Sequence, residues 1–203
     1  MTRGERGDVD DAGGGRNLAL GYLRLAATYA LVAALAFISR PTPVVVAVGA
    51  VFVALGETFR VWAAGHLLKS RELAVSGPYR HTQNPLYFGR LCILTGFCIM
   101  AWLPPGWNLA VLAAGWVIFF AYYLPRKVRV EGERLRRLHG GQWESYFKSV
   151  PILFPRPSPY GTNVRAWDTS RFLRNREHWM LTGVTVVTLI FLMRSLLPRS
   201  LSE

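Results

Sequence analysis

Residues 107–124 read WNLAVLAAGWVIFFAYYL, eighteen consecutive positions without Asp, Glu, Lys or Arg. The hydrocarbon core of a bilayer is roughly 30 Å thick and takes about 20 helical residues to cross. This stretch therefore predicts a membrane span, and four similar blocks surround it. Leu18–Ile38 carries Arg24 near its start, and Val44–Ala64 carries Glu57 and Arg60 near its end. Leu86–Leu103 carries Arg90 near one end, and Trp179–Leu197 carries only Arg194. Pro41-Thr42-Pro43 and Pro104-Pro105-Gly106 punctuate two of the links and keep them short. The expected fold is all-α: an integral membrane helical bundle of about five transmembrane helices. Spans 1–2 and 3–4 are expected to form antiparallel hairpins.

Composition agrees. The chain has 203 residues, is 51% hydrophobic and carries a net charge of +12. Its apolar residues sit in blocks, which excludes an ordinary soluble domain. Two cysteines are too few for a disulfide-stapled secreted domain. Seven tryptophans and eleven phenylalanines exclude a disordered basic chain. Cys92 and Cys98 point to different faces of one span, so no disulfide is expected between them. The first span is longer than the apolar core of a secretory signal and is read as retained.

Lysine and arginine set the expected topology. Residues 1–17 contain three, 65–85 contain three and 125–178 contain twelve. The positive-inside rule places all three segments in the cytoplasm, in agreement with five crossings. Basic residues beside spans suit anionic lipid. No nucleic-acid motif is present, and none is expected as a partner. Thr2–Arg16 is rich in Gly, Asp and Arg and reads as a disordered tail.

Two of the basic segments carry candidate chemistry. The first, residues 65–90, reads GHLLKSRELAVSGPYRHTQNPLYFGR. Ser76-Gly77-Pro78 marks a turn, and Asn84-Pro85 marks a helix start, with Asn84 as the cap and Pro85 first in the helix. An open helix N-terminus favours a carboxylate or phosphate. In the second, residues 126–155, Val128, Leu135 and Leu138 recur at helical spacing and predict an amphipathic helix. Glu131 falls on that apolar stripe, whereas Glu133 lies about 200° away among Arg129, Arg136 and Arg137. A carboxylate on an apolar stripe needs a partner. Arg134 at i+3 and a bound cationic ligand are the two readings. Gly140-Gly141 is expected to end this helix, and Trp143, Tyr146 and Phe147 to form an aromatic return. In the second span, Glu57 and Arg60 are i, i+3 neighbours and expected partners. Ionisable residues in spans are functional candidates, which adds Arg60 and Arg90.

No cluster with metal-ligand spacing occurs, so no metal is expected. Dinucleotide, Walker and nucleophile-elbow motifs are absent.

Together the two segments resemble the isoprenylcysteine carboxyl methyltransferase and phospholipid methyltransferase superfamily. Gly77-Pro78-Tyr79-Arg80 with Asn84-Pro85-Leu86-Tyr87-Phe88-Gly89 is similar to its GPYR…HPxYxG signature. Glu131-Gly132-Glu133-Arg134-Leu135, His139-Gly140, Trp143, Tyr146, Val150-Pro151 and Pro155 are similar to its closing signature. Arg60-Val61-Trp62-Ala63 looks like a bacterial branch. Gln83-Asn84 stand where the family has Arg-His, Gly132 replaces a second Glu, His139 replaces Phe and Trp143 replaces Tyr.

The resemblance implies a membrane methyltransferase core at 18–155, after the tail 1–17 and before a linker and extra span at 156–203. It implies S-adenosylmethionine as cofactor and a lipidic or membrane-partitioned acceptor methylated on oxygen or nitrogen. It places the cofactor among Tyr79, Arg80, Asn84, Pro85, Tyr87, Gly89, Glu131 and Tyr146, with Glu131 on the α-amino group. Arg90 and Arg60 are the candidate catalytic residues, holding an anionic head group. A sterol-reductase-like protein using NADPH and a non-catalytic protein of the same fold are the rival readings.

Overall fold

The computed structural model describes residues 34–68, 73–103 and 106–197. The expected tail and residues 18–33 of the first span lie outside the described residues. Residues 34–38, the end of that span, are helical.

Helix α1, Pro43–Ala64, starts where Thr42 Oγ1 accepts from the Val45 amide at 3.3 Å, with Pro43 at the first helical position. A short 3-10 turn, Gly77–Arg80, leads into α2, Pro85–Met100. Helix α3, Trp107–Ile118, runs through a π turn at Phe119–Tyr123 into α4, Leu124–Ser149. Helices α5, Thr169–Arg174, and α6, Glu177–Leu196, complete the chain. Among the described residues there is no strand. Pro43–Ala64, Trp107–Ser149 and Glu177–Leu196 are long and apolar enough to cross a membrane, and Pro85–Met100 is a shorter apolar helix. The protein is a multi-pass membrane helical bundle.

The tightest packing joins α1 and α2. A Cβ on Gly56 would lie 2.5 Å from the Gly89 carbonyl oxygen, and one on Gly89 would lie 2.5 Å from that of Gly56. Gly49 and Gly96 repeat the arrangement, at 2.6 and 2.5 Å. Two reciprocal glycine pairs, seven residues apart on each helix, let the backbones touch in antiparallel order. Small residues serve this purpose where lipid removes the hydrophobic drive between helices. Against this pair α6 packs Val184, Val187 and Phe191, which meet Val46, Val53, Ile93 and Met100 in one core.

The fourth span does not stop at Leu124, as the sequence reading had it. The helix continues through Pro125 because the preceding turn is wide: the Leu124 amide donates to Phe119 O, a π-type bond. Proline lacks an amide and crowds the preceding turn, and a local π turn absorbs both defects. The expected stop at Gly140 is borne out: the backbone leaves the helical conformation there, at φ 49° and ψ −127°, and a second helical segment runs on to Ser149. Trp143, Tyr146 and Val150 then pack together. Cys92 and Cys98 are buried and free.

Candidate functional site

The first signature segment is bound to the end of the second. The Gln83 amide donates to Pro151 O at 2.9 Å, and the Thr82 hydroxyl to Leu153 O at 2.8 Å. His81 Nδ1 donates to Arg156 O at 2.7 Å, and the Arg156 amide returns to His81 O at 3.0 Å. Gln83 Nε2 donates to Val150 O at 2.6 Å, and Asn84 Nδ2 to Ile152 O at 2.9 Å. Further along, the Trp167 indole donates to Val61 O at 2.9 Å, and Asn175 Nδ2 to Ala64 O at 2.9 Å. Residues 150–175 thus form a strap that ties the start of α2 to the end of α1.

Between the ends of α1 and α2 and the first half of α4 lies a cavity of about 410 Å³, within the range of small-molecule sites. The end of α1 contributes Arg60, and the start of α2 contributes Asn84, Pro85, Leu86, Tyr87 and Arg90. The first half of α4 contributes Lys127, Val128, Glu131, Gly132 and Leu135. Trp143, Tyr146 and Tyr79 add aromatic faces, Leu67, Leu68 and Leu73 add apolar ones, and Glu177 enters from α6.

Several expected partners differ. Arg60 does not pair with Glu57 one turn earlier. It is 3% exposed, with Nη2 2.5 Å from Glu177 and Nη1 donating to Leu86 O at 3.2 Å. Glu57 Oε1 is left without a hydrogen-bond partner among the described residues. Glu131 pairs with Lys127, one turn before it. Its side chain is 44% exposed and on the cavity wall, and Glu133 is exposed and does not line that cavity. Asn84 stands at the N-cap of α2 as expected, but its side chain makes no capping hydrogen bond; its Nδ2 donates to Ile152 O.

Of the expected cofactor residues, the cavity brings together Tyr79, Asn84, Pro85, Tyr87, Glu131 and Tyr146. Arg80 and Gly89 lie elsewhere. Arg80 donates from Nε to Tyr160 O at 3.0 Å and from Nη2 to Gly161 O, so it anchors the strap. Gly89 is the point of closest approach to Gly56. Tyr146 presents its ring while its hydroxyl donates to Tyr79 O at 2.7 Å. Burial, before any neighbouring charge, holds the Tyr79 phenol well above its usual range, so it stays protonated. Arg90 donates to the Tyr123 hydroxyl at 3.2 Å and stands 5.3 Å from the Tyr87 ring centre. Lys127 faces the same ring at 5.2 Å. Sequence reasoning missed Glu177. Its only local signal is an acid at the head of an otherwise apolar span.

The α1–α4 region that builds most of this wall matches the model of the phospholipid methyltransferase family over residues 42–133. Residues 42–133 belong to that family. The matched part runs from the α1 cap to just past Glu131. Phospholipid methyltransferases use S-adenosylmethionine, and the matched part of the chain is similar to these membrane enzymes. No curated protein and no solved structure matches the chain. The wall suits the cofactor chemically. Glu131 is a carboxylate for an ammonium group, and the Tyr79, Trp143 and Tyr146 rings offer faces to an adenine or a sulfonium cation.

Proposed function

We propose that the protein methylates the head group of a phospholipid-type acceptor, on oxygen or nitrogen, from a cavity open to the cytoplasm. One observation carries this reading. Arg90 lies one turn inside a membrane helix, yet shares a cavity wall with Glu131 on the polar helix. A single site thus spans the boundary between lipid and water.

Bound S-adenosylmethionine supplies an electrophilic methyl group on a sulfonium, already activated for in-line displacement. The protein's work is alignment and exclusion of water. Glu131 binds the amino group of the cofactor, and the rings of Tyr79, Trp143 and Tyr146 line the adenosine and sulfonium. Arg90 holds the acceptor phosphate, with the rings of Tyr87 and Tyr123 fixing its guanidinium. Leu67, Leu68, Leu73 and Leu86 keep the reacting atoms dry. Asn84 and Gln83 shape the site by holding the strap. The basic residues at 65–85 and 125–178 support the cytoplasmic orientation.

Calorimetry on the detergent-purified protein tests the reading, with NADPH as the control. Micromolar binding of S-adenosylmethionine followed by methyl incorporation into a lipid extract is expected. Binding of NADPH alone would replace it with the reductase reading.

A further inference from the structure

The cavity wall holds two guanidiniums with different partners. Among the described residues Arg90 meets neutral groups, the Tyr123 hydroxyl and the Tyr87 and Tyr123 rings. Arg60 is 2.5 Å from the Glu177 carboxylate, with both side chains largely buried at 4% and 12% exposure. A second carboxylate, Glu57, sits one turn away on α1 with Oε1 unpartnered among the described residues. Among the described residues Arg60 therefore has a carboxylate partner and Arg90 has none.

We infer that Glu177 is a specificity-determining residue: by masking Arg60 it leaves the cavity one anion site and rejects head groups with a second negative charge. The inference rests on the cavity being the acceptor site. A buried guanidinium stripped of its carboxylate would recruit another anion, because an unpaired charge there is strongly unfavourable. The last helix, beyond the family match, thereby sets acceptor choice.

The test is equilibrium binding of short-chain phosphatidylserine and phosphatidylcholine to the full-length protein without methyl donor. Both lipids carry one phosphate, and only the first adds a carboxylate. The wild type is expected to bind the serine lipid no more tightly than the choline lipid. Glu177→Gln is expected to tighten the serine lipid about tenfold and leave the choline lipid within about twofold. In Arg60→Gln/Glu177→Gln the ratio of the two affinities is expected to return to the wild-type value. A folded Glu177→Gln protein with no such gain, or a gain that persists in the double variant, overturns the inference. Should Glu177→Gln not fold, the neutral double variant decides. A wild-type ratio supports masking, and a loss of serine-lipid affinity of about fivefold or more shows that Arg60 was open all along. Failure of every variant to bind either lipid removes the acceptor site itself, whatever the cofactor result.

Discussion

The side-chain amide of Asn84 donates to the backbone carbonyl of Ile152 at 2.9 Å, joining the two signature segments across 68 residues. The family's histidine position is here a structural clamp. Asn84→Asp turns the donor into an acceptor facing a carbonyl, and should cost more than Asn84→Ala, which should cost about 1 kcal/mol. Thermal unfolding in detergent measures both. An Asn84→Asp protein as stable as the wild type would show that the clamp is not formed.

Glu131→Gln should weaken S-adenosylmethionine binding about tenfold or more, since hydrogen bonds to charged groups contribute about 1.5–3 kcal/mol. Glu133→Gln, on the exposed face, should leave it unchanged. Equal effects from the two substitutions would remove Glu131 from the cofactor site.

Arg90→Ala should raise KM for the lipid acceptor about tenfold while S-adenosylmethionine affinity stays at the wild-type level. Initial rates at varied lipid, alongside calorimetry for the cofactor, separate the two. A matching loss in cofactor affinity would assign Arg90 to the wrong substrate.

Gly56→Ala or Gly89→Ala should destabilise the bundle by about 1–3 kcal/mol, because the new methyl meets a backbone oxygen that cannot step aside. Gly141→Ala meets nothing within 4 Å and should be neutral or stabilising by up to about 1 kcal/mol. Unfolding midpoints in one detergent rank the three.

His66 is buried beside Ser76, its Nδ1 3.1 Å from the hydroxyl. Burial first, then Arg171 and Arg165, lowers its pKa from 6.5. The unfolded chain then binds a proton more readily than the folded one. The stability this gives is full above about pH 6.5 and is lost as pH falls toward the folded value. The unfolding temperature should drop on acidification below 6.5, and His66→Gln should reduce that drop.

The apolar helices among the described residues, the helix start at Pro85 and the free cysteines were legible because each is written locally, in hydropathy, in a proline or in helical periodicity. The outward face of Glu133 was legible for the same reason. Arg60 was misjudged because its partner lies 117 residues away and local spacing offered Glu57 instead. Arg80 and Gly89 sit in the signature for packing, which a motif does not distinguish from binding. The glycines at 49, 56, 89 and 96 carried a readable spacing of seven, but only the contact shows which helix each faces. Pro125 reads as a stop, and only the π turn before it lets the helix pass.

The pairing of Arg60 with Glu177 also fixes an order of biogenesis. The arginine leaves the ribosome in an early span, and its counter-charge leaves more than a hundred residues later. Until α6 inserts, the nascent bundle holds a guanidinium at the membrane edge with no acid from α6 to meet it. Docking of the last helix is then the step that matures the cavity. A chain truncated ahead of Glu177 would keep Arg60 without that carboxylate, with the Glu57 carboxyl one turn away on the same helix.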